Sequence, residues 1–177
     1  ELSWCRAAAL ATSKDQTYRS GFGPIPLSVL GGNYVAPSAS NVIMGLPNTD
    51  NKAKVAFYTD SSLKNVIASQ IFSIRNLGTS VTQSVNVPPY NALTGANPNK
   101  VSFKLDTKVA GQFTGDFVIP NTNAKLVRTA KYQGMVVHHD GIFEAVGYYL
   151  LPELPEPGLT LTTSPVLSGQ VVFGLAP

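Results

Sequence analysis

The chain has 177 residues, of which 44% are hydrophobic and 13% are charged, with a formal net charge of +3. This length fits one domain with a sizeable core, and the apolar content disfavours an intrinsically disordered chain, because buried apolar surface can offset the entropy of ordering. The positive charges are dispersed from Arg6 to Lys131. We therefore expect solvated sheet faces and no nucleic-acid partner.

The chain has one cysteine, Cys5, which excludes an internal disulfide framework and a multi-cysteine metal site. A buried thiol is favoured over a pairing with another chain. No apolar run reaches the length of about 18 residues that a membrane helix requires, so no membrane span is expected. The chain begins at Glu1 without an initiator methionine, which is expected of a processed protein or of a piece of a longer one.

The predicted organisation is an N-terminal arm, residues 1–20, followed by a single β domain, residues 21–177. The alanine run in the arm predicts a short helical turn or an extended segment. Glycines and prolines after Ser20 mark the start of a first strand. Residues 66–74 fit a helix or a strand, and their β-branched content favours the strand. The other strands predicted before residue 100 cover residues 33–37, 41–46, 54–58 and 79–87.

After Lys100 the pattern sharpens into four or five strands, the first of which alternates apolar and polar residues. The later segments each contain a glycine among aromatic or branched residues, and they cover residues 112–119, 131–137, 142–151 and 168–173. Because glycine weakens an isolated strand, its recurrence predicts tight coiling, bulges or aromatic rings lying over the backbone. The expected fold is all-β, an antiparallel meander forming a small barrel or a strongly curled sandwich, with at most one short helix.

Glycine and aromatic motifs recur in these segments, as GQFTGDF at 111–117, YQGMVV at 132–137, VGYYL at 146–150 and SGQV at 168–171. They resemble the β-rich domain near the C-terminal ends of large exported proteins of Planctomycetes and Verrucomicrobia. The resemblance covers most of residues 18–174 and departs from the family at the proline-rich segment 152–158. It implies export, a β fold and a place within a larger surface or secreted protein, and it implies no catalytic residue.

Catalytic motifs are missing from the sequence: it has no G-x-S-x-G elbow, no phosphate-binding glycine loop and no carboxylate pair at a characteristic spacing. We therefore expect neither an enzyme nor a cofactor. The histidines His138 and His139 adjoin Asp140, which begins an Asp-Gly hairpin turn. Neighbouring strand residues point to opposite faces, so these three are weak metal-ligand candidates. Solvated histidines beside a turn are the favoured interpretation.

Candidate ligand-binding residues are the aromatic and amide side chains that can stack on or hydrogen-bond a sugar on a β scaffold. Tyr90, Asn91 and Asn97 belong to the long polar loop 88–99, and Tyr148 and Tyr149 lie in a predicted strand. These residues support the alternative function, a carbohydrate-binding module.

The favoured function is a non-catalytic extracellular or cell-surface domain for protein–protein interaction, adhesion, or surface or filament assembly. The N-terminal arm, the proline-rich segment and the apolar tail 171–175 are features that can add a strand to a neighbour. For residues 168–173, completion of the domain's own sheet is the favoured interpretation. The expected partners are other protein domains, subunits or polysaccharide.

Overall fold

The computed structural model describes residues 2–27, 29, 31–34, 53–59, 63–72, 82–85, 97–106 and 111–175. In this part of the chain the strands are β1 (Leu2–Arg6), β2 (Phe22–Leu27), β3 (Ala53–Tyr58), β4 (Val66–Phe72), β5 (Thr82–Val85), β6 (Phe103–Asp106), β7 (Gln112–Ile119), β8 (Arg128–His139), β9 (Ile142–Pro152) and β10 (Val166–Leu175). A 3-10 turn covers Ala124–Leu126. The predicted all-β fold is confirmed. Among the described residues, no helix has the length and apolarity needed to cross a bilayer.

The strands form a two-stranded sheet, β1-β2, and an eight-stranded antiparallel sheet in the order β4-β3-β10-β9-β8-β7-β6-β5. Strands β6 to β10 follow one another as a meander, as the C-terminal pattern predicts. Strand β10 then pairs with β3 on its other side, so it lies in the interior of the sheet. The tail 171–175 pairs with β3 and is part of the domain's own sheet, as the favoured interpretation predicts.

Ring contacts across the concave side show that the large sheet curls. Phe57 of β3 stacks on Phe117 of β7 with ring centroids 3.9 Å apart, although β10, β9 and β8 separate the two strands in the sheet. The ring centroids of Phe103 on β6 and Phe173 on β10 are 4.8 Å apart, although β9, β8 and β7 separate these strands in the sheet. The sheet is a half-barrel, in agreement with the predicted curled meander.

The core fills the concave side of the half-barrel. In β7 to β10 alternate residues point inward, as the two-residue period of a strand requires. The largest fully buried apolar side chains are Val55, Phe57, Leu105, Phe113, Phe117, Val136, Val171 and Phe173. The residues that alternate with the inward-pointing ones, such as Lys131 and Gln133 on β8, are exposed on the outer face.

Aromatic rings cover three strand glycines. The facing pairs on neighbouring strands are Gly115 and Tyr132, Gly134 and Phe113, and Gly169 and Tyr149. A Cβ atom at Gly169 would lie 2.1 Å from the hydroxyl oxygen of Tyr149, and one at Gly134 would lie 2.2 Å from Cζ of Phe113. Only glycine leaves room for these rings, so the predicted packing of rings over the backbone is confirmed.

The N-terminal arm is extended, and β1 pairs with β2. Of the two predicted conformations of the arm the helical turn is wrong, because residues 2–6 form a strand and residues 7–10, which include the alanine run, form no helix. The pairing also joins residues on both sides of the predicted boundary between residues 20 and 21. Cys5 is exposed, so the favoured buried thiol is wrong as well.

Several local predictions are confirmed by the strands and turns. Residues 66–72 form a strand and not a helix. The turn between β8 and β9 is the predicted Asp-Gly turn, with φ of 48° at Asp140 and 77° at Gly141, the left-handed conformation that a two-residue hairpin loop favours. The predicted strand at 41–46, the end of the one at 33–37 and most of the loop 88–99 lie outside the described residues.

Candidate functional site

The N-terminal hairpin carries an exposed apolar face. Leu2 pairs with Leu27 and Trp4 pairs with Ile25, and directly opposed residues lie on one face of a ladder. These four side chains, here called the apolar ribbon, are between 40% and 55% exposed. A two-stranded ladder is marginally stable alone, and a contiguous exposed apolar face marks an interaction surface. The apolar ribbon is therefore a candidate interface.

An aromatic cluster connects the apolar ribbon to the large sheet. The ring of Trp4 packs edge-on against Phe22 and Tyr18, with centroid distances of 4.6 and 5.8 Å. The backbone N–H of Tyr18 donates to the carbonyl of Val166 at 3.1 Å, and its hydroxyl hydrogen-bonds Oγ of Ser168. The hairpin is thus attached to β10, while the apolar ribbon keeps an exposed face.

An ion pair fixes the segment between β1 and Tyr18. Nη2 of Arg6 donates to Oδ2 of Asp15 at 2.6 Å, and the backbone N–H of Thr17 donates to Oδ1 at 2.9 Å. Both bonds favour the ionised carboxyl group, so the Thr17 N–H, and then Arg6, hold the pKa of Asp15 below its usual range. The ionised carboxylate of Asp15 therefore joins Arg6 of β1 to the backbone that leads to Tyr18.

Two prolines, Pro24 and Pro26, occupy alternate positions in β2. Proline has no N–H group, so the ladder to β1 has to use the donors of Ile25 and Leu27. The prolines then face the free edge of β2, where they remove the donors that another strand would need. The apolar ribbon is consequently suited to contact through its face, and not through this edge.

The two tyrosines of β9 lie on opposite faces, as strand alternation predicts. Tyr149 is buried, and its hydroxyl donates to the carbonyl of Tyr58 at 2.9 Å. Tyr148 is 48% exposed on the outer face, where its hydroxyl accepts a hydrogen bond from Nε2 of Gln133 at 2.6 Å. Only Tyr148 is therefore placed to meet a ligand on the outer face of the sheet.

A shallow groove of about 360 Å³ surrounds Tyr148 on the outer face, and it is also lined by Gln112, Gln133, Met135 and Val146. Asn97, the other candidate in the described part of the chain, is used locally. Its Nδ2 donates to the carbonyl of Val101 at 2.9 Å, and its Oδ1 accepts from the N–H of Val101 at 2.7 Å. Tyr90 and Asn91 lie outside the described residues.

The histidines flank the β8–β9 turn and do not converge. The ring of His138 stacks on Phe143 with a centroid distance of 4.4 Å. On the other face, Nε2 of His139 lies 3.8 Å from Oε1 of Glu144, and Nδ1 lies 3.9 Å from Oδ2 of Asp140. Within the described ranges, no three side chains of His, Cys, Asp or Glu form a group that could hold a metal ion.

A cleft of about 440 Å³ opens at one mouth of the half-barrel, and sequence reasoning missed it. Its lining includes Ile67, Ile119, Arg128, Tyr149, Leu151 and Leu167. The pairing of Arg128 with Ile119 places both at the end of the β7–β8 ladder, and Leu151 pairs with Leu167 on β10. The sequence gives little indication of this cleft, because Arg128 points inward only as a result of the register between strands.

Comparison of the chain with protein-family models, with curated proteins and with solved structures finds no match. What the chain binds has to be inferred from the chemistry of its own surfaces.

Proposed function

We propose that this chain is a non-catalytic domain of an exported protein, and that it assembles with a second copy of itself outside the cell. The observation that supports assembly most strongly is the apolar ribbon. Leu2, Trp4, Ile25 and Leu27 share one face of a two-stranded ladder, and 40–55% of each side chain remains exposed. Full burial of one such side chain from water stabilises by about 1.5–3 kcal/mol, so covering the exposed parts of these four half-buried side chains adds a fraction of that value for each.

A second apolar ribbon is the partner that best matches this face. The four side chains of the apolar ribbon carry no charge, and Arg6, the charged residue of β1, is paired with Asp15, so the apolar ribbon offers nothing to attract an acidic or basic partner. A twofold arrangement places the same patch on both sides of the interface and doubles the number of buried side chains. Because association itself costs about 4–15 kcal/mol, we expect a weak dimer that forms at high protein concentration.

Sedimentation velocity over a range of protein concentrations tests this proposal. Leu27→Lys places a charge within the apolar ribbon. Leu10→Lys makes the same change at a side chain that is 77% exposed and outside the apolar ribbon. The unmodified chain and Leu10→Lys are expected to shift toward a dimer as concentration rises, and Leu27→Lys is expected to remain monomeric. A chain that stays monomeric at every concentration would contradict self-assembly.

A carbohydrate-binding function is the second candidate, and the groove around Tyr148 favours it. An exposed tyrosine ring flanked by the amides of Gln112 and Gln133 offers a stacking surface together with directional hydrogen bonds. Co-sedimentation with insoluble polysaccharides tests it. Tyr148→Ala should abolish retention, whereas Leu150→Ala, a change on the same face, should not. If the unmodified chain is not retained by any polysaccharide, this candidate is excluded.

A further inference from the structure

The cleft at the mouth of the half-barrel, here called the mouth cleft, combines apolar walls with the guanidinium group of Arg128. Ile119, Leu151 and Leu167 supply aliphatic surface, and Arg128 lies among them. The cleft volume of about 440 Å³ falls within the range of about 300–1,000 Å³ that is typical of small-molecule sites, which also favour the mouths of β-barrels. The position and size of the cleft therefore suit a small ligand.

Within the described part of the chain, one edge of the Arg128 guanidinium has no hydrogen-bond acceptor. Nη1 donates to the carbonyl of Pro152 at 3.0 Å, which fixes the side chain. Nε is buried and has no hydrogen-bond partner among the described residues. A buried donor without an acceptor is unfavourable, and Nε with Nη2 forms the edge that receives a carboxylate through two parallel bonds. Arg128 thus points to an anionic group as the missing acceptor.

The other polar groups of the cleft limit the charge of that anion. Glu153 lies at the lining, and a dianion such as a phosphate monoester would meet its negative charge, with Arg128 as the one cation among the described lining residues. A monoanion avoids this repulsion. Because Ile119, Leu151 and Leu167 form an apolar wall, the rest of the ligand should be aliphatic.

We propose that the mouth cleft binds a small amphipathic monocarboxylate, with its carboxylate on Arg128 and its aliphatic chain along the apolar wall. This site lies inside the half-barrel, and the apolar ribbon lies on the N-terminal hairpin. A negative result for one proposal therefore does not contradict the other.

Isothermal titration calorimetry with decanoate and with decanol, on the complete chain, tests the site. Decanoate is expected to bind at least roughly tenfold more tightly than decanol, because a hydrogen bond to a charged group is worth about a factor of ten or more. Arg128→Gln should remove this difference. Lys131→Gln, the same change of charge on the outer face of β8, should preserve it.

A second variant controls for an indirect effect of Arg128→Gln on folding. Leu167 is 42% exposed, so Leu167→Glu should leave the fold intact while placing a negative charge in the cleft. It should weaken decanoate binding and affect decanol much less. The proposal is overturned if decanoate does not bind, if decanol binds equally well, or if Arg128→Gln and Leu167→Glu retain the affinity of the unmodified chain for decanoate.

Discussion

The ring of Phe57 on β3 stacks on the ring of Phe117 on β7 at a centroid distance of 3.9 Å and an interplanar angle of 21°. Both side chains are fully buried. Strands β10, β9 and β8 lie between them in the sheet, so this contact can form only when the sheet curls. The stacked pair therefore joins the N-terminal strands to the C-terminal meander and helps to fix the curvature of the half-barrel.

A double-mutant cycle should measure this cross-barrel contact. Phe57→Leu and Phe117→Leu should each lower the free energy of unfolding, and together they should lower it by less than the sum of the two. The expected coupling is about 0.5–1.5 kcal/mol, as found for aromatic pairs. Urea denaturation supplies the values. As a control, Phe57→Leu is combined with Phe143→Leu at the exposed β8–β9 hairpin, where the two losses of unfolding free energy should add. If the losses from Phe57→Leu and Phe117→Leu also add, the contact between the two rings is contradicted.

Alanine at Gly169 should destabilise the domain because a methyl group would collide with the hydroxyl of Tyr149. Forced overpacking of this kind costs about 1–3 kcal/mol. Gly174 lies in the same strand, and a Cβ atom at that position would meet nothing within 4 Å, so Gly174→Ala should change stability little. Thermal unfolding of the two variants gives the comparison. Equal stabilities would mean that the ring of Tyr149 does not restrict position 169.

The stability of the domain should fall at alkaline pH partly because of Tyr132. Burial, and then the charge of Asp116, raise the pKa of its hydroxyl, which donates to the carbonyl of Ser102 at 2.5 Å. In the unfolded chain a tyrosine loses its proton near pH 10. Above that pH the unfolded state binds fewer protons than the folded state, so the free energy of unfolding decreases as pH rises.

Replacement of Tyr132 by phenylalanine separates the two contributions of its hydroxyl. At neutral pH, Tyr132→Phe should cost about 1 kcal/mol, because the hydrogen bond to Ser102 is lost. Above about pH 10 the variant should lose stability less steeply than the unmodified chain, since one titrating group is gone. Urea denaturation at several alkaline pH values measures both effects, and parallel pH profiles would disprove the role of Tyr132.

The attachment of the N-terminal hairpin should weaken at acid pH. The lowered pKa of Asp15 means that its bonds to Thr17 and Arg6 contribute above the ordinary carboxyl pKa of about 3.9 and are lost as pH falls through the lowered value. Trp4 is the only tryptophan, so its fluorescence reports on the hairpin. Asp15→Asn should remove the acid transition of this signal. A transition that persists unchanged in the variant would assign it to another group.

The C-terminal strands can be predicted from the sequence because their pattern is local. Glycine among aromatic and branched residues at 112–119 predicts a strand, and β7 has the same limits. The glycines in the later strands also indicate rings over the backbone, although their partners, such as Tyr149 over Gly169, require the register between strands.

The binding surfaces are harder to predict because they depend on contacts distant in sequence. The apolar ribbon arises when Leu2 meets Leu27, and neither short segment shows this pairing alone. Arg128 faces the mouth cleft because it pairs with Ile119, and a shift of one residue would turn it to the outer face. By contrast, the opposite directions of Tyr148 and Tyr149 follow from the sequence, since they depend on alternation alone.

Thiol accessibility at the hairpin is a direct test of self-assembly through the apolar ribbon. In a Cys5→Ser background, Leu27→Cys places a thiol on the apolar face, and Ser3→Cys places one on the opposite face, across from Pro26. As protein concentration rises, labelling of Leu27→Cys by a thiol reagent should slow severalfold, while labelling of Ser3→Cys should stay constant. Labelling rates that are independent of concentration at both positions would contradict the account.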